Sequence, residues 1–180
     1  MSAALGLDVG STNIKVVLVA PDGRPVGRTQ RPLQSDRRGA AVEQNADALW
    51  TRTVDAVAEL TAAHPDVAGQ VSAIGVCSQY SSIVPVDDAV EPVGPMVMWS
   101  DHRGTDRSVA IMERQDDAFF TWLDKHGIPP LGGGLALAHL LHLQYDRPER
   151  HAATAAYLEP MDLITARLTN RITATQQSMF

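Results

Sequence analysis

Two nearly continuous apolar runs, residues 3–9 and 13–20, stand on either side of Gly10-Ser11-Thr12, and nothing else in the chain constrains its fold so strongly. Their Val, Leu and Ile content is that of buried strands, and so short a connection makes them antiparallel neighbours across a tight turn. Pro21-Asp22-Gly23 then offers a fixed φ followed by a residue free to take positive φ. That turn sends the chain back into a third strand around residues 24–31. The chain is therefore predicted to open with a three-stranded antiparallel meander.

Asn45 is placed to cap a helix with Asp47 in its first turn, along which Leu49, Trp50, Thr53, Val54, Val57 and Leu60 recur at helical spacing until His64-Pro65 stops it. Residues 71–77 read as another buried strand, followed by Gln79-Tyr80-Ser81-Ser82 and a further strand over 83–86. A strand, helix, strand crossover results. Beyond Trp99-Ser100-Asp101 the pattern becomes helical, around 105–114, 117–126 and 135–145. The Pro- and Gly-rich stretch 129–134 reads as a mobile connection without a phosphate-loop pattern. Pro160 opens a last short helix, with Asp162 in its first turn, Arg167 in its last and Asn170 at the left-handed cap position. No internal repeat is visible. Residues 176–180 carry no terminating signal, so the chain is expected to be cut from something longer.

Composition narrows the classes. With 180 residues, 44% of them apolar, and a net charge of −6, the chain is expected to build one globular domain and not a disordered, collagen-like or low-complexity segment. No apolar stretch approaches the roughly 18 residues a bilayer span needs. The N-terminus reads without a secretory leader. A single cysteine, Cys77, can form neither an internal disulfide nor a thiolate cluster, which points to a reducing, cytoplasmic setting. Arg24, Arg28, Arg31, Arg37 and Arg38 form one basic stretch. On an acidic chain this reads as a solvated edge strand and loop in preference to a nucleic-acid patch, so neither a nucleic-acid nor a membrane partner is expected.

Three constellations carry chemistry. In Asp8-Val9-Gly10-Ser11-Thr12-Asn13-Ile14-Lys15, Gly10 admits a close backbone approach, and the following amides and hydroxyls are suited to phosphate oxygens. Asp8 suits Mg²⁺, which takes few carboxylates, and Lys15 adds positive charge. The competing reading is a plain hairpin whose Asp and Ser satisfy the turn's own amides. In Ser78-Gln79-Tyr80-Ser81, at the carboxyl end of a strand, neutral donors and acceptors suit hydroxyl groups, unless they are merely loop polarity. In Trp99-Ser100-Asp101-His102-Arg103 an indole wall stands beside a carboxylate able to accept from vicinal hydroxyls; a surface Asp–Arg pair beside a core Trp is the alternative. His139 and His142 could share a helix face but lack a third ligand, and His102, His126 and His151 have no readable partner. No hydrolase serine elbow and no Gly-Lys-Ser/Thr loop occurs. Asp87-Asp88 and Asp116-Asp117 read as solvated acids.

Taken in order, these constellations resemble the N-terminal domain of the FGGY carbohydrate kinases, which share an RNase H-like fold with actin, hexokinase and the Hsp70 ATPase. Asp8-x-Gly10-Ser11-Thr12-x-x-Lys15 resembles that superfamily's first phosphate loop. Gly75-x-x-x-Gln79 is similar to the family's sugar-contacting turn, and Pro95-x-x-x-Trp99-x-Asp101-x-Arg103 to its Trp-x-Asp-x-Arg segment. Val42-Glu43-Gln44 and the segment from Asp162 to Asn170 match two further family stretches, with Asn170 where the family has a capping glycine.

The resemblance implies an α/β fold: a mixed sheet opened by the meander, flanking helices and a helical insertion over 104–157 within one N-terminal domain, 1–180. It implies ATP and Mg²⁺ as cofactors and phosphorylation of a sugar or polyol. Asp8 would organise the metal, and Gly10, Ser11, Thr12, Asn13 and Lys15 would meet the nucleotide phosphates. Gln79, Tyr80, Ser81, Trp99, Asp101 and Arg103 would line the sugar side of one shared cleft. Where glycerol kinases place Arg-Glu and xylulokinases Met-His after the equivalent of Gln79, this chain has Tyr80-Ser81, so neither substrate carries over. The general-base aspartate and the second nucleotide-binding domain are expected beyond Phe180, and these residues alone are expected not to turn over. A homodimer of the full-length protein stays open. A noncatalytic binding or scaffold module is the competing class, and an actin- or chaperone-type ATPase the weaker rival.

Overall fold

The structure is a computed structural model that describes residues 2–114, 117–127 and 132–174. Residues 129–131 of the connection read as mobile, Asp116, and residues 176–180 lie outside the described residues. The N-terminal half runs β1 (Ala3–Val9), β2 (Asn13–Val19), β3 (Pro25–Pro32), β4 (Ser35–Arg38), β5 (Ala41–Gln44), α1 (Ala46–Ala63), α2 (Pro65–Ala68), β6 (Val71–Ser78), β7 (Val84–Val86) and β8 (Met96–Val97). The C-terminal half adds α3 (Thr105–Arg114), α4 (Ala118–His126), α5 (Ala136–Asp146), α6 (Pro148–Ala152), β9 (Ala156–Leu158) and α7 (Pro160–Thr169).

A four-stranded mixed sheet in the order β3-β2-β1-β6 carries the fold, antiparallel except for the parallel β1–β6 pair. The predicted meander is its first three strands. Along β1 and β2 the side chains alternate, as the pleat requires. Leu5, Leu7, Val9, Ile14, Val16 and Leu18 are buried in one cluster with Leu49, Ala56 and Leu60 of α1. Asn45 caps that helix by accepting from the Ala48 amide at 2.9 Å, and the helix ends at His64. Val54, expected on the buried stripe, is 44% exposed, while Ala56 takes an inward position. The stripe runs Leu49, Thr53, Ala56, Leu60, and one residue past Thr53 the helix has turned about 100° away.

Strand β6 departs from expectation. It reads as buried, yet it is the free edge of the sheet, with Ser72, Ala73, Ile74 and Gly75 exposed. Strand composition reports a preference for cover, and among the described residues nothing covers this strand's outer face. Gly6, Asp8, Lys15, Arg28, Gly75 and Cys77 all line an open hollow of about 1060 Å³ on that side. The strand expected over 83–86 also joins a different partner, pairing as β7 with β9 outside the main sheet. The β4–β5 hairpin, extended by β8, was not legible, because Ser35-Asp36-Arg37-Arg38 has no apolar face to betray a strand.

Helices α3, α4, α5 and α7 form where periodicity places them, and Asn170 ends α7 at φ 55°, the left-handed cap. Leu163 and Ile164 of α7 enter the main core beside Met96 and Met98. Helices α3 and α5 pack so closely that a Cβ on buried Gly104 would overlap the Ala138 carbonyl. Both partners are backbone, so a Gly104→Ala variant is expected to lose about 3 kcal/mol, read as a lower urea midpoint at unchanged slope. An unchanged midpoint would show that the two helices can part without penalty. Among the described residues no helix is long and apolar enough to cross a membrane.

Candidate functional site

The first constellation sits where β1 runs out. Gly10 donates its amide to the Asn13 carbonyl at 3.0 Å, and a Cβ at Gly10 would lie 3.0 Å from that same oxygen, so a side chain there would crowd the turn. The Ser11 carbonyl accepts from Gln44 Nε2 at 2.6 Å and the Thr12 carbonyl from the Leu33 amide at 2.8 Å. The carbonyls are thus pinned from behind while the Thr12 side chain is exposed. Asn13 Nδ2 donates to Thr12 Oγ1 at 3.2 Å. Asp8 is not spent on the turn: it pairs with Lys15 at 2.9 Å, both half exposed on the open face of the sheet. The plain-hairpin reading needed that carboxylate for the turn's amides, and it is elsewhere.

The second constellation hangs from the first, because Gln79 donates its amide to the Val9 carbonyl at 2.9 Å. Ser81 adopts φ 60° and is buried. A non-glycine residue held there needs an external restraint. Glu159, which immediately precedes α7, provides it, its Oε1 accepting from the Ser81 amide at 2.8 Å. Ser82 then joins the second constellation to the third: its hydroxyl donates to Gln79 Oε1 at 3.2 Å and accepts from the Trp99 amide at 3.0 Å. The result is two exposed aromatic side chains, Tyr80 and Trp99, carried on turns fixed to one another.

The third constellation differs from its sequence reading. Asp101 is fully buried, accepting from the Val42 amide at 2.8 Å, the Arg103 amide at 3.0 Å and Arg103 Nη2 at 2.7 Å. Such a carboxylate has no face for a sugar hydroxyl; it positions Arg103 and strand β5. Arg103 Nη2 also donates to Glu43 at 2.7 Å. The expectation that Asp8 and Asp101 face one cleft fails in that form: Asp8 lines the hollow on the open sheet face, and Asp101 is interior and does not line that hollow. Strand β5 is instead the joint between them, with Gln44 on the Ser11 carbonyl and Val42 on Asp101. The basic stretch likewise divides: Arg24 pairs with Asp22, Arg31 with Glu59 and Arg38 with Asp36.

Charge follows burial. Burial pushes the Asp101 carboxyl up, but Arg103 and the amides of Val42 and Arg103 hold it below the ordinary range. Burial raises Glu159 to about 7, against the opposing bond from Ser81 and with Asp162 adding repulsion. Burial lowers His139 to about 4; its ring lies fully buried between the Ser81 backbone and the field of Asp101 and Arg103. Neither His139 nor Glu159 was singled out for the site. Glu159 did carry a signal, an acid just before a helix-opening proline, but its partner stands 78 residues earlier.

For magnesium the donor set is spare. Among the described residues no three His, Cys, Asp or Glu side chains cluster for a metal. An ion that keeps its waters and takes one or two carboxylates still fits Asp8, whose carboxylate is open beside the turn.

Comparison with known proteins agrees with this architecture. The sequence profile of the FGGY family of carbohydrate kinases, N-terminal domain, matches residues 3–179. A xylulose kinase of Bacillus subtilis is 26% identical over 174 residues, covering 96% of this chain and 34% of that protein. A gluconokinase of Bacillus subtilis is 30% identical over 104 residues, 57% of this chain and 20% of that protein. The crystal structure of a ligand-bound xylulose kinase from Lactobacillus acidophilus superposes with a TM-score of 0.83 at 20% identity, over 96% of this chain and 34% of that one. The chain thus spans about a third of the length of these kinases. With the profile matched from the first strand to beyond α7, the chain belongs to the FGGY family of carbohydrate kinases.

Proposed function

We propose that this chain is the N-terminal, acceptor-binding part of an ATP-dependent carbohydrate kinase. The observation that carries this reading is the Gln79 amide on the Val9 carbonyl, which hangs a hydroxyl-reading turn directly beside a glycine turn flanked by an open Asp–Lys pair. Phosphoryl transfer asks for little covalent chemistry from a protein; it asks that an acceptor hydroxyl and a phosphate be held in line with charge compensation.

In this reading the amides and hydroxyls after Gly10 orient nucleotide phosphate oxygens, with Asn13 and Lys15 alongside. Asp8 would hold Mg²⁺, directly or through water, and the ion would supply charge neutralisation at the phosphates. Tyr80 and Trp99 wall the acceptor, and Gln79 fixes the turn that presents it. Ser81 works through its backbone and Asp101 through Arg103. The general base and the adenosine pocket lie outside these residues, so the chain alone is not expected to turn over. The acceptor class is a sugar or polyol, and because Tyr80-Ser81 stands where glycerol and xylulose kinases carry other residues, neither of those substrates carries over.

The test is an ATP-dependent phosphorylation assay of the complete reading frame across ketoses, aldoses, aldonates and polyols. We expect turnover of one class, with Asp8→Asn lowering kcat by about a hundredfold or more at unchanged Tm. No turnover with any acceptor, or an Asp8→Asn protein of full activity, overturns the reading.

A further inference from the structure

We infer that the hairpin β4–β5 and the α5–α6 junction enclose a binding site for a small phosphate-type oxyanion, separate from the open sheet face that holds Asp8. Four arginines, Arg38, Arg103, Arg147 and Arg150, converge with Asp36 and Glu43 on a hollow of about 200 Å³. They come from three places in the sequence, and only the fold brings them together.

The charges do not cancel. Arg38 is satisfied by Asp36 at 2.7 Å, and Arg103 by Asp101 and Glu43, both at 2.7 Å. Glu43 is thereby engaged, and Arg150 Nη1 reaches it only at 4.0 Å, outside hydrogen-bond distance. That Nη1 is buried and makes no hydrogen bond. Among the described residues Arg147 pairs with no carboxylate, and its Nη1 donates to the Asp146 carbonyl at 2.8 Å. Two guanidinium groups thus flank the hollow with spare donors, one of them a buried Nη1.

Flexibility does not dissolve the arrangement. Arg150 lies across Gly94 so closely that a Cβ there would meet its guanidinium stem. The Thr154 hydroxyl bonds the Arg150 carbonyl at 2.7 Å. A buried guanidinium nitrogen left without an acceptor is costly, and a tetrahedral oxyanion offers oxygens in the spacing its planar fork reads. A carboxylate or chloride fills fewer of those donors. The ligand chemistry is therefore phosphate, either free or as the monoester of a small metabolite.

The experiment titrates the protein with inorganic phosphate and with ribose 5-phosphate, reading Tm and heat of binding, against sodium chloride at matched ionic strength. The variants are Arg147→Gln and Arg150→Gln, with Arg24→Gln as an exposed control far from the hollow. We expect saturable stabilisation by phosphate, unchanged in Arg24→Gln and weakened about tenfold in Arg147→Gln and Arg150→Gln. Tighter binding of ribose 5-phosphate assigns a monoester, and equal binding assigns free phosphate. A shift reproduced by chloride, or one that survives in both Arg147→Gln and Arg150→Gln, overturns the site. Because Arg147 is exposed, its variant keeps the test decisive even if Arg150→Gln fails to fold. The outcome does not depend on kinase activity, since no readout uses it.

Discussion

Replacing Asp101 with alanine is expected to lower unfolding stability by about 3–5 kcal/mol, the range seen when one partner of a buried ion pair is removed. The carboxylate has no exposed surface and accepts from two amides and the guanidinium of Arg103, itself mostly buried. Alanine strands the Val42 amide and leaves Arg103 with Glu43 as its remaining partner. Asp101→Asn keeps the shape and an acceptor for Val42 but not the charge, so its loss should be smaller, about 1–3 kcal/mol. Urea unfolding at constant slope measures both. A loss under about 1 kcal/mol for alanine would mean that Asp101 does not organise the segment carrying Trp99, and would return it to the solvent-facing role. The sign with pH follows from its lowered pKa: its stabilisation is complete above the unfolded value near 3.8 and is lost only as pH falls below that.

Asp101 shows which part of such a site sequence can convey. The spacing of Trp99, Asp101 and Arg103 was legible, and so was their membership of one segment. Their division of labour was not, because burial is a tertiary quantity: the same Asp-x-Arg spacing on an uncovered loop would be a surface pair. Strand β5 makes it interior, and β5 was invisible because its partner β4 is polar on both faces. The meander, by contrast, was fully legible, since an alternating or continuous apolar run and a Pro-Asp-Gly turn are local signals. Asn45 and Asn170 were legible for the same reason, as both caps are decided within one helical turn. Strand β6 lies between these cases. Its apolar character is a local fact, and its exposure depends on what else covers the sheet.

Glu159 is the clearest non-local feature, and its titration gives the second large expectation. In the folded chain burial raises its pKa from 4.5 to about 7. Between those values the folded protein holds a proton that the unfolded chain has released. Stability from this group is therefore present below about pH 4.5 and is lost as pH rises through about 7. A shift of this size corresponds to about 3 kcal/mol across the window. Glu159→Gln keeps an oxygen for the Ser81 amide and removes the titration. Subtracting the variant's stability from the parent's, pH by pH, should give a curve that falls by roughly that amount between pH 4.5 and 8. His139, lowered to about 4, produces the opposite slope between about pH 6.5 and 4, but it is present in both proteins and cancels in the difference. Parallel curves would show that Glu159 ionises at its ordinary pH. The hydrogen bond to Ser81 would then be a surface contact and not the restraint that keeps a serine at φ 60° in the turn carrying Gln79 and Tyr80.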